Sequence, residues 1–579
     1  MATRKDAAKK MWDEHCQSAL RDFVSTAVVI DNEPCLSEHV IAKSSTTFRA
    51  TMKDEGMPPA DESYGAAAPQ MESDEADNHR MSDSDGSVEQ EDLGVHRLNI
   101  RATSDAFAKA GILCSFVLPL DEEVESQDIS RRVLQAAKQA DIVVVDWYLK
   151  GKDSVAAQKM LERIAENDVD ENGRLRLICI YTGQTEVEDV LDGAVGALLR
   201  GGLELGKQAD GTALGAHHCL VVMNKQKVPP EKLPEELLEK MAILTKGLLP
   251  SFGLASVAAI RRNVHHIVTQ FPEQLDGPFV ANRLISDPPE GMVELMRELF
   301  LSECDSALDL AQVVRQHLSE EAISSWLETL TLTNGEYSNG DNPKILIDLS
   351  FMKALLAEGL DHGGFVTLDS GRVPFPEPKR EKVSAVLCGT TTERDRRELV
   401  LARKVVMKRE AFGSTKLAAE PEWAPVLTLG TILKCVEENG NGNTPRYYYC
   451  LTPACDTLRL PPKGVTLVMA ELTTHREASG KYNLVVADED GSPIKLYFSP
   501  KTKFLKAFTF DSVDNGQIRA ESRGEHRFHF QSSGEPIHEF LWLGEVRRHR
   551  ANRDMADLNR AWLRLGFNDS EYLRLKAKG

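Results

Sequence analysis

No run of apolar residues in this chain is long enough to cross a membrane. The first residues, MATRKDAAKKMWDEHCQSALRDF, also lack an apolar core followed by a small-residue cleavage site. They read as an amphipathic helix rather than a signal peptide, so the expected compartment is the cytoplasm. No CxxC pair occurs among the ten cysteines, and the closest spacing, Cys450 to Cys455, has no second pair to complete a zinc site. Cys114, Cys179 and Cys219 sit inside apolar runs, where a free thiol behaves as a small buried hydrophobe. Positive charge is in deficit: a formal net charge of -20 argues against a nucleic-acid surface spread over the molecule, although EVRRHRANR forms a local basic patch. Missing as well are a repeat of fixed period, a basic helix-turn-helix, and any nucleosidase, nuclease or cyclase motif, so the chain is not expected to be an enzyme.

What is there is ordinary soluble protein, 42% hydrophobic and 27% charged, and at 579 residues it calls for several cores. Four parts are expected: an N-terminal helix (1–25), an α/β domain (26–250), a helical region (251–378) and a C-terminal α+β module (379–579). Within the second part, residues from about 50 to 91 are acidic, rich in Ser and Met, and poor in apolar side chains. They are expected to be a disordered, dispensable insertion, because little apolar surface offsets the entropy of ordering.

Around that insertion, apolar β-branched runs alternate with helical periodicity. STAVVID, ILCSFVLP, DIVVVDWYL, RLICIYTG and HHCLVVMNK read as strands. ATSDAFAKAG, SRRVLQAAKQA, VAAQKMLERIAEN, VEDVLDGAVGALL and PEELLEKMAILTKGLL read as helices. This alternation predicts an α/β fold with a doubly wound, five-stranded parallel sheet covered on both faces. Farther on, the spacing predicts a helix over ERDRRELVLARKVVMKRE and short strands at LGTILKCVEE, RYYYCLT, GVTLVMAEL, YNLVVADEDGSPIKLYF, FLKAFTF and EHRFHFQ. A helical end is expected from RRHRANR onward.

Chemistry in a doubly wound sheet gathers at the carboxyl ends of the strands. Strand one delivers Asp31, then Asn32 and Glu33; strand three delivers Asp146, strand four Thr182, and strand five Lys225 with Lys227 two residues on. Two acidic strand ends can hold one Mg²⁺ through oxygen ligands. A carboxylate can attack a phosphoryl group, with a lysine ammonium neutralising the phosphoryl oxygens.

VVIDNEP resembles the first-strand acidic motif of two-component receiver domains, and IVVVDWYLKG the strand that carries their phosphoacceptor aspartate. IYTG resembles the switch Ser/Thr strand and VVMNK the lysine strand, all in family order. Over about residues 20–250 the enlarged outline is similar to the diverged "response receiver" family of bacterial anti-phage defence systems. The resemblance implies Asp146 as phosphoacceptor, Thr182 as switch hydroxyl and Lys225 as phosphate-pairing cation. It implies Asp31, Asn32 and Asp146 as the Mg²⁺ side, a cognate histidine kinase as partner, and a second receiver-bearing effector as a further candidate partner. Receivers usually place two consecutive acids after strand one. Here either Asn32 coordinates through its amide oxygen or Glu33 takes its place. The lysine is not followed by proline, so Lys227 stays an alternative to Lys225.

Three other features have plainer readings. GGLELGK has the glycine and lysine spacing of a phosphate loop, but Gln208 stands where a hydroxyl should hold the metal, so a flexible loop is expected. His265 and His266 are expected to be an ordinary helical pair. Cys455 and Asp456, with His475 the nearest base in sequence, would support catalysis only if they converge. The function implied is a phosphoacceptor acting as relay or phosphate sink. The alternatives are a receiver-regulated effector enzyme and a pseudo-receiver scaffold that is never phosphorylated.

Overall fold

The computed structural model describes residues 2–32, 34–35, 98–119, 131–149, 153–171, 173–286, 290–332, 335–338, 344–389, 391–412, 423–439, 442–513, 516–524 and 527–563. The acidic segment at about 50–91 and Glu33 lie outside the described residues. The chain divides into two compact units, residues 1–258 and 259–579.

In the first unit the elements run α1 (Ala2–Phe23), β1 (Thr26–Ile30), β2 (Pro34–Cys35), β3 (Leu98–Asn99), α2 (Ile100–Lys109), β4 (Leu113–Val117), α3 (Arg131–Gln139) and β5 (Ile142–Val145). Next come α4 (Val155–Asp170), β6 (Arg176–Thr182), α5 (Val187–Arg200), β7 (Gly206–Lys207), β8 (Thr212–Leu214), β9 (His218–Asn224), α6 (Leu233–Thr245) and α7 (Leu248–Arg262). The five expected strands form a parallel set in the order β4-β1-β5-β6-β9. From β1 the chain moves outward to β4 and then back across to β5, so the order reverses beside β1 and β5, where such sheets open a crevice.

The strand residues sort by parity. Val28, Ile30, Val143, Val145, Ile178, Ile180, Leu220 and Val222 face one core, built with α3, α4 and α5. Ala27, Val29, Ile142, Val144, Leu177, Cys179, Cys219 and Val221 face the other, closed by α1, α2 and α6. Full burial of each such Val, Ile or Leu contributes about 1.5–3 kcal/mol, which is why the central positions of β1, β5, β6 and β9 are apolar. Helix α1 is part of this unit, because Ala19, Leu20 and Phe23 enter the second core.

Two local expectations need correction. Gly206–Lys207 is a strand, and β7 and β8 add an antiparallel hairpin to the outer edge of β9, making the sheet seven-stranded. Ion pairs from Lys207 to Asp192 of α5 and from Lys240 of α6 to Asp210 (3.1 Å) tie this hairpin to both flanking helices. The single helix expected over PEELLEKMAILTKGLL breaks after Thr245, where Lys246 turns extended.

The second unit is helical at first, but the region expected to be helical to residue 378 also contains two antiparallel hairpins, Gly335–Tyr337 with Ile345–Ile347 and Phe365–Leu368 with Gly371–Pro374. Tyr337, Phe351 and Phe375 pack at their centre, a cluster built between segments and so invisible to local periodicity. Farther on, ten described strands form one antiparallel-paired sheet with apolar clusters on its two faces. Its interior strand Glu539–Val546 pairs with three others and falls outside the sequence expectation. Its run Phe540–Leu543 is buried at every position, so no alternation marks it. The expected helix over ERDRRELVLARKVVMKRE stops at Val406, and Met407–Glu410 is a strand on that same neighbour.

Candidate functional site

Each of the strands β1, β5, β6 and β9 ends in a polar residue at the same edge. The Asp146 N–H continues the ladder by donating to Ile30 O at 2.9 Å, and the Lys225 N–H donates to Thr182 O at 2.8 Å, so all four ends stay in register. Asp31, Asp146 and Thr182 are 4%, 6% and 1% exposed, unusually deep for such side chains.

Lys225 reaches back across β6 and β5. Its Nζ stands 2.8 Å from Asp31 Oδ2 and 3.4 Å from Asp146 Oδ2, so one ammonium bridges both carboxylates. Lys227 is exposed, and of the two lysines it is Lys225 that faces the acids. Burial pushes the Asp146 carboxyl up to about 7. The Lys225 charge opposes that rise and the nearby Asp31 carboxylate adds to it. Thr182 Oγ1 accepts the Gln184 N–H at 3.2 Å, which leaves its own hydroxyl proton free to donate elsewhere.

Asn32 Oδ1 is buried and has no hydrogen-bond partner. A buried acceptor left unmatched costs free energy unless something positive meets it. Among the described residues no cluster of three or more His, Cys, Asp or Glu could hold a metal. An ion at this edge would therefore use two carboxylates and the Asn32 amide oxygen, an all-oxygen set of the kind Mg²⁺ takes.

Several neighbours went unread in the sequence. The Trp147 ring is buried and lies against Gly193 of α5, where an added Cβ would stand 2.9 Å from Trp147 Cζ2. Glycine inside a helical pattern was the signal for such a close approach. The Tyr181 hydroxyl donates to Val228 O at 2.7 Å, and Asn224 Nδ2 donates to Gln184 O at 2.7 Å. A polar residue ending the apolar run LVVMN was the hint to Asn224.

The other candidates lie in the second unit. His265 and His266 are an exposed pair with ring centroids 3.9 Å apart. Cys455 is exposed and its Sγ donates to Asp456 Oδ1 at 3.3 Å, which pushes the thiol up rather than toward a reactive thiolate. The His475 ring lies beside Tyr482, with centroids 5.8 Å apart.

Two acids, a threonine and a bridging lysine at the carboxyl edge of a parallel α/β sheet are the set expected of a two-component receiver domain. Residues 23–229 match the family model of the response receiver domain, so this segment of the chain is a receiver domain. The chain has no match among curated proteins or solved structures.

Proposed function

We propose that Asp146 accepts a phosphoryl group from a cognate histidine kinase, and that the chain acts as a signalling component rather than an enzyme. The observation that carries this reading is the single Lys225 ammonium held between Asp31 and Asp146. In the transfer, an ionised Asp146 oxygen bonds to phosphorus as the phosphorus–nitrogen bond to the donor imidazole breaks. The electron pair stays on that nitrogen, which takes up a proton. Lys225 pairs with the phosphoryl oxygens, and the Thr182 hydroxyl donates to one of them. Asp31, Asp146 and Asn32 Oδ1 would hold Mg²⁺, which supplies further neutralisation of phosphoryl charge when bound.

Incubation with Mg²⁺ and acetyl phosphate should add one phosphoryl group labile to hydroxylamine, and Asp146→Asn should abolish it. Lys225→Ala should cut labelling or the conformational response, whereas Lys227→Ala should change neither. A wild-type chain that takes no label from acetyl phosphate or from its kinase overturns the reading in favour of a pseudo-receiver scaffold, which the neutral Asn32 would suit.

We further propose that the chain serves in a bacterial defence pathway. Label that moves on to a second receiver-bearing protein marks a relay, and label that only hydrolyses marks a phosphate sink. Cells carrying Asp146→Asn should then lose protection against phage; unchanged survival would remove the defence assignment.

A further inference from the structure

Gln184, in the loop between β6 and α5, is held from two sides. Its N–H donates to Thr182 Oγ1 at 3.2 Å, and its carbonyl accepts from Asn224 Nδ2 at 2.7 Å. Asn224 is 5% exposed, and its other amide end accepts the Gln226 N–H at 2.8 Å. With a carbonyl facing Nδ2 and an N–H facing Oδ1, both ends of the amide are matched and its orientation is determined. The two anchors of Gln184 are therefore Thr182 itself and the residue immediately before Lys225.

We infer that Asn224 is a positioning residue, a latch that keeps the loop 183–186 and the start of α5 in the resting arrangement and releases them when Asp146 is phosphorylated. The inference rests on the phosphoacceptor reading and adds to it one positioning residue, Asn224. Drawing the Thr182 hydroxyl toward a phosphoryl oxygen pulls its oxygen away from the Gln184 N–H. Shifting Lys225 from the two carboxylates to the phosphoryl group strains the adjoining Asn224 bond. Either event leaves one anchor, and both together free the loop. Because α5 begins at Val187, a freed loop changes the seating of that helix.

The test is hydrogen exchange over residues 183–200 of the full chain, with and without Mg²⁺ and acetyl phosphate. Asn224→Asp keeps the acceptor facing Gln226 but cannot donate to Gln184. Losing one net hydrogen bond should speed resting exchange there roughly three- to ten-fold. It should also shrink the further increase on phosphorylation, with the stoichiometry of labelling unchanged. Asn224→Ser, too short to reach Gln184 and without a buried charge, is the second arm should the aspartate variant fail to fold. Resting exchange equal to wild type, or a full-sized further increase on phosphorylation, overturns the latch. Wild-type protein that takes no label overturns the phosphoacceptor reading and the switch with it, whereas labelled protein with unchanged exchange overturns the latch alone.

Discussion

At Asp146 burial and charge oppose each other. Desolvation favours the neutral carboxyl, and the Lys225 ammonium only partly restores the ionised form, leaving the group at about 7 against an ordinary value near 4. The sign of the consequence follows from proton counting. Between these two values the folded protein binds the proton more tightly than the unfolded chain, so the contribution of Asp146 to stability falls as pH rises from about 4 to about 7. In EDTA, Asp146→Asn should therefore melt a few degrees above wild type at pH 8 and nearly with it at pH 4. Thermal melts across that range check this, and a difference independent of pH would show that the carboxyl is not held neutral. A strained ground state of this kind is expected where a nucleophile waits for its electrostatic partner.

Among the elements, α5 meets this edge at two places. It starts from the Gln184 loop, and its Gly193 makes room for the indole of the residue next to Asp146. Alanine in a helix interior would ordinarily gain about 1 kcal/mol over glycine. Here the new methyl must displace a rigid buried ring, at about 1–3 kcal/mol, so Gly193→Ala should destabilise the protein. Its denaturation midpoint should fall and Trp147 should become more accessible to quenchers; a midpoint at or above wild type would show that α5 slides freely over the ring. At the opposite edge of the sheet Asp168 of α4 meets His218 Nε2 at 3.0 Å and Arg176 Nε at 3.3 Å, all three nearly inaccessible, though the arginine contact is not an aligned hydrogen bond. That cluster pins the amino ends of β6 and β9, so motion at their carboxyl ends has a fixed base.

For the whole molecule, the receiver's two cores are closed by residues of the first unit. A fragment ending at Arg262 should thus unfold in one cooperative transition and still take up label on Asp146, as circular dichroism and labelling can check. A fragment that aggregates or melts without cooperativity would show that the first unit depends on the second. The parallel strands and the acids at their ends were legible in the sequence, because continuous β-branched runs bounded by turns have few other uses. The hairpins around Tyr337 and Phe375 and the strand Glu539–Val546 were not, since short or fully buried strands carry no alternation. By itself, the sequence determined which residues end strands and which polar types stand there, a matter of local pattern. Only the tertiary structure decided that Lys225 and not Lys227 turns inward, that burial pushes the Asp146 carboxyl up, and that Asn224 reaches Gln184. Those outcomes depend on strand register and on the depth of burial, which arise only when distant segments pack together.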